Sequence, residues 1–186
     1  MSLRSLHLEL VDDDPTYSWI HQKDSSEDTG KEGTYMNSEF GMPKIEEYDL
    51  SCIMIDCRKG IPSAADLNKI DFNHKAVLLF TGNLENKEYS TRDYIKATPE
   101  VPFSLIEAIV AHNPHFILID AAGIDKHHEA RKKAEKYCAE NNCYIINNVN
   151  LSADLLKSIR EVKIEVDETF DSQFKPCKIY TEVYDL

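Results

Sequence analysis

Four short apolar, β-branched runs constrain this chain more than any other feature: SCIMIDC (51–57), KAVLLFTG (75–82), HFILID (115–120) and CYIINNV (143–149). Each has strand length and reads as a buried strand, the second stopped by Gly82. Helical patterns fall between them. Ser63 is placed to cap SAADLNKI, and Pro102 sits in the first turn of VPFSLIEAIVAHN. The stretch DKHHEARKKAEKYCAENN is a long polar helix with Ala130, Ala134, Tyr137 and Cys138 as its expected inner face. SADLLKSIR opens on Ser152 as an N-cap. VKIEVD and CKIYTEV alternate as half-buried strands do, and RSLHLEL reads as a first strand. The expected fold class is α/β (or α+β), with a mixed β-sheet and flanking helices. A single domain spans 1–186 without internal repeats, and DSSEDTGKEG forms a polar loop at about 22–33.

Composition excludes several function classes. The net charge of -12 gives no basic face for phosphate, which argues against nucleic acid as a partner and equally against anionic lipid. No apolar run reaches the roughly 18 residues of a membrane helix, and no signal-peptide pattern opens the chain. The five cysteines form no CxxC and suggest neither a disulfide framework nor a zinc ribbon. Reduced cysteines point to a cytoplasmic protein.

Familiar catalytic signatures are missing: the sequence contains no GxSxG elbow, no Walker loop and no GxGxxG. His127 and His128 are adjacent, so on a helix they point about 100° apart and do not converge by themselves. His112 and His115 flank Pro114 at a helix-to-strand turn. Asp120 and Asp125 bracket AAGI after a strand end, where they serve either as functional carboxylates or as turn caps.

Taken in order, the segments IEEYDLSCIMIDCRKG, KAVLLFTGN, EVPFSLIEAIVAHNPHFILIDAAGID, CYIINNVNLSADL and KPCKIYTEV resemble the cyclase and kynurenine formamidase family of metal-dependent hydrolases. The resemblance runs from about Leu6 to Tyr184. It implies the family's swivelling β/β/α fold and, in ordinary members, an arylformamidase-like hydrolase using zinc or manganese. The family's metal motif reads H-x-G-T-H-x-D-x-P-x-H-F. Laid over KEGTYMNSEFGMP, its Gly and Thr match Gly33 and Thr34. Its histidines fall on Lys31, Tyr35 and Gly41, its Asp on Asn37 and its Pro on Glu39. The family's later His falls near Glu135 and its Glu on Asn147. The frame is kept while every ligand position differs.

That difference has chemical weight. A catalytic divalent metal needs about three protein ligands and an open position for water. The matched face offers a cation, a neutral phenol, two amides, a glycine and one carboxylate. No cofactor is therefore expected, and metal-assisted cleavage of an amide or formamide should be unavailable.

Two readings follow. In one, the protein is a metal-free homologue that binds a small molecule or a partner without catalysis. In the other, a hydrolase acting on an amide or formamide is rebuilt around Lys31, Tyr35, Glu135 or the His127 and His128 pair. Lys31 reads equally as a solvated loop lysine, Asn37 and Asn147 as caps of strand ends, and Tyr35 as a core residue. If the site persists, Lys31 and Glu135 are expected to form an ion pair supported by Tyr35 and Asn37. The resemblance also implies a homodimer or higher homo-oligomer.

Overall fold

A computed structural model describes residues 2–8, 33–89 and 91–183. The strands are β1 (Ser2–Ser5), β2 (Tyr35–Asn37), β3 (Glu47–Asp56), β4 (Ala76–Phe80), β5 (Phe116–Ile119), β6 (Tyr144–Asn147), β7 (Glu161–Val166) and β8 (Phe174–Val183). The helices are α1 (Ala64–Leu67), α2 (Asn83–Asn86), α3 (Arg92–Lys96), α4 (Phe103–Val110), α5 (His128–Glu140) and α6 (Leu155–Ser158).

The four apolar runs are β3 to β6, and they pair in parallel with one another. Their continuous apolarity reflects burial on both faces. Ala76, Leu78, Phe80, Phe116, Leu118 and Ile146 point into one core. Val77, Leu79, Ile117, Ile119 and Ile145 point into a second, which α4 closes with Leu105, Ile106, Ile109 and Val110. β7 and β8 instead alternate between buried and accessible residues, as their sequence pattern predicts.

Two long strands turn this sheet into a closed ring. The first half of β3 pairs antiparallel with β7 and its second half pairs parallel with β4. β8 pairs with β2, β7 and β1 in succession. The ring therefore runs β8, β2, β6, β5, β4, β3, β7 and back to β8, with β1 attached outside it. This is the mixed α/β architecture expected. Among the described residues, no helix is long and apolar enough to cross a membrane.

Several local expectations are corrected. The first strand is Ser2–Ser5 rather than RSLHLEL, because Arg4 and Ser5 belong to the β8 ladder while Leu6 already leaves it with a single bond to the Ile179 carbonyl. Ser152 does not cap α6; the helix starts after Asp154, whose side chain makes no capping bond and accepts from the Ser152 hydroxyl instead. Ala130 is exposed, since only Ala134, Glu135 and Cys138 of α5 are buried. A buried glutamate on that face was not foreseen. The polar loop at about 22–33 lies outside the described residues apart from Gly33.

Candidate functional site

Asn147 ends β6 and lies directly opposite Tyr35 on β2. Residues so paired project to the same face about 5 Å apart. Met36 projects the other way, into the barrel core. Asn37, two positions on, returns to the face of Tyr35 and meets α5. Its Nδ2 donates to Glu135 Oε2 at 2.9 Å. Tyr35, Asn37, Glu135 and Asn147 are thus brought together from three elements far apart in sequence.

A second layer holds this group in place. Asn148 adopts a left-handed backbone (φ 57°), a conformation asparagine tolerates better than most residues. Its Nδ2 donates to the Gly33 carbonyl at 2.8 Å, and its Oδ1 accepts from the Tyr94 hydroxyl at 2.6 Å. Thr34 Oγ1 donates to the Asn148 carbonyl at 2.6 Å, and the Gly33 N–H donates to the Tyr89 hydroxyl at 2.7 Å. The matched Gly-Thr pair is therefore the anchor that positions β2 against β6.

The electrostatics of the group are uneven. Burial drives the Tyr35 phenol well above the usual tyrosine range, the Arg131 guanidinium opposing this and Glu135 adding to it. Tyr35 is a neutral donor here, its hydroxyl 3.4 Å from the Ala122 carbonyl. Asn147 is 1% exposed, and among the described residues neither its Nδ2 nor its Oδ1 has a hydrogen-bond partner. The Asn147 amide and the Tyr35 hydroxyl are close enough to influence each other, yet no bond of good length and angle joins them. Buried polar atoms are nearly always paired, so an amide with both ends open is an exception that calls for a reason.

The other sequence candidates lie elsewhere. Gly41 packs beside Ala139 and Tyr144, one helical turn beyond Glu135. Asp120 is fully buried at the end of β5, where it accepts from Thr81 N at 2.7 Å, Thr81 Oγ1 at 2.8 Å, Gly82 N at 2.8 Å and Asn83 N at 3.2 Å. Burial raises its pKa and these donors pull it back. It holds the turn after β4, where Gly82 supplies a positive φ of 76°. Asp125 Oδ1 accepts from His127 N at 2.8 Å, a local turn cap. His127 is exposed, with its Nε2 3.4 Å from Glu100, and the exposed His128 meets Arg131 at 3.4 Å. The two histidines do not converge. Lys31 lies outside the described residues, so the proposed Lys31–Glu135 pair does too; its Asn37–Glu135 component is present.

The resemblance noted in the sequence implies a divalent metal, and the described residues do not fit one. Among the described residues, no three His, Cys, Asp or Glu side chains come together in a group able to hold a metal. The Tyr35 face provides one carboxylate, two amides and a neutral phenol, a poor donor set for zinc or manganese.

No protein-family model matches the chain, and no curated protein sequence matches it. Solved structures do. A potential metal-dependent hydrolase with cyclase activity superposes with a TM-score of 0.65 at 12% identity, over 97% of this chain and 96% of that one. A novel cyclase gives 0.63 at 8% identity, over 97% and 88%. An isatin hydrolase bound to the product analogue thioisatinate gives 0.57 at 13% identity, over 73% and 61%. The chain thus has the cyclase-like fold of these hydrolases, at an identity that speaks to fold alone.

Proposed function

We propose that this protein uses the cyclase-like hydrolase fold as a metal-free, non-catalytic binder of a small molecule, with Tyr35, Asn37, Glu135 and Asn147 lining the site. The observation that carries the reading is the buried Asn147 amide, whose donor and acceptor find no partner among the described residues. Leaving such atoms unpaired costs roughly 1–3 kcal/mol each, and a polar ligand removes that cost. The donor set supports the metal-free part of the proposal, because without a metal no bound water is brought to a pKa near 7.

The five buried free cysteines support a cytoplasmic location. A homodimer or higher homo-oligomer is also proposed. It is supported by β1, which ends the sheet with no second strand partner among the described residues and carries an exposed Leu3. Light scattering at micromolar concentration that gives a monomer alone rejects it.

The decisive test combines metal analysis with turnover. Protein purified without chelator is expected to carry far less than one zinc or manganese per chain. It is expected not to hydrolyse N-formylkynurenine or isatin, with or without added metal. Turnover on the order of 1 per second or faster overturns the proposal in favour of a rebuilt hydrolase. Loss of that turnover in Glu135→Ala would then locate the new machinery.

A further inference from the structure

Arg131 lies one helical turn before Glu135 on α5, so the two side chains share a face of the helix. Its Cδ lies 3.0 Å from where a Cβ on Gly123 would sit. The Tyr35 hydroxyl meets the carbonyl of the preceding residue, Ala122. The stem of Arg131 and the hydroxyl of Tyr35 therefore converge on adjoining residues of one loop.

The neighbouring cations of α5 are all engaged. Lys132 pairs with Glu39 at 3.1 Å, Lys133 lies over the Phe103 ring at 3.9 Å, and Lys136 reaches Glu140 at 3.9 Å. Arg131 has no carboxylate partner among the described residues; its contact is the long one to His128 Nδ1. A guanidinium without an acid is notable in a chain of net charge -12. Arg131 and the Asn147 amide both act on the Tyr35 phenol, and the amide has no hydrogen-bond partner among the described residues.

Resting on the small-molecule reading above, we infer that the ligand carries a carboxylate and that Arg131 binds it, with Asn147 Nδ2 as a second donor. The planar fork of a guanidinium matches the two oxygens of a carboxylate. Asn147 Oδ1 is placed to accept from an N–H or O–H elsewhere on the same ligand.

The test is a calorimetric titration with carboxylic acids each matched to its primary amide, benzoate and benzamide among them, on the full chain. At least one acid should bind, with its amide weaker by about tenfold or more, and added salt should weaken the acid alone. Arg131→Gln should cost the acid about tenfold or more while sparing the amide, with thermal unfolding unchanged, and Arg131→Lys should restore part of the loss. Acid and amide binding equally, in a manner abolished by Asn147→Leu, overturns the carboxylate inference and leaves the small-molecule site standing. Acid binding that Arg131→Gln does not alter overturns the role of Arg131. No binding by any member of the set overturns both readings.

Discussion

Asn37 donates to Glu135 across a gap of 98 residues in sequence, joining β2 to the inner face of α5. The bond spans two positions where the metal-dependent relatives suggested by the sequence frame would carry ligands. A hydrogen bond here joins elements that a shared metal would otherwise link.

Removing that bond should be measurable as stability. Asn37→Ala leaves the buried Glu135 carboxylate with one donor fewer, and hydrogen bonds to charged groups contribute about 1.5–3 kcal/mol. Urea unfolding is expected to show a loss of that order with an unchanged m-value. A loss under about 0.5 kcal/mol would mean that the bond carries no part of the β2–α5 link.

Asn147 should behave in the opposite sense. Asn147→Leu replaces two buried polar atoms that have no partner among the described residues by methyl groups of similar shape. The variant is expected to be more stable by about 1–2 kcal/mol while losing ligand binding. Gain of stability with loss of function is the mark of a side chain kept for a site rather than for the fold. A clear destabilisation would show that the amide is already satisfied in solution.

Asp120 belongs to the fold. Asp120→Ala strands the Thr81 and Gly82 N–H donors at the end of β4, while Asn83 N keeps its bond to Thr81 Oγ1, and a cost of about 3 kcal/mol or more is expected. Circular dichroism during thermal unfolding would read it. A near-native midpoint would show that water replaces the carboxylate and that the turn tolerates its loss.

The sequence made the architecture legible where physical periodicity is strong. The runs at 51–57, 75–82, 115–120 and 143–149 are strands because apolarity without a polar face has one stable use in a sheet covered on both sides. Ring closure was not legible, because it depends on β3 and β8 each changing partners midway, a tertiary choice with no local signature. The site divides in the same way. Tyr35, Asn37, Glu135 and Asn147 could be picked out by laying a motif frame over the chain. Arg131 could not, since it occupies no motif position and its neighbours in sequence are ordinary surface lysines. Asn148 was hidden for another reason: its role rests on a left-handed backbone and two hydrogen bonds to distant residues, and only the Asn-Asn pair hints at it.

The final prediction concerns acid, at the end of the barrel away from Tyr35. The half-buried His115 ring faces the exposed His74 ring with centroids 5.2 Å apart, and Tyr48 covers it from another side at 5.7 Å. Burial lowers the His115 pKa below the ordinary value of about 6.5, and the neighbouring His74 lowers it further. Between the folded and unfolded values, the unfolded chain binds more protons, so stability rises with pH in that window. The contribution is complete above about pH 6.5 and is lost as pH falls through the lower, folded value. Asp120 acts in the opposite sense, because its raised pKa makes the folded state the better proton binder above the usual aspartate range. The two slopes are separated by subtraction. The stability difference between the wild type and His115→Gln should shrink as pH falls below about 6.5, while Asp120 contributes equally to both proteins and cancels. His74→Gln should narrow the window by removing the neighbouring charge. Parallel stability–pH curves for wild type and His115→Gln would show that His115 titrates alike in the folded and unfolded chain, and would remove the His74–His115 contact as a source of acid sensitivity.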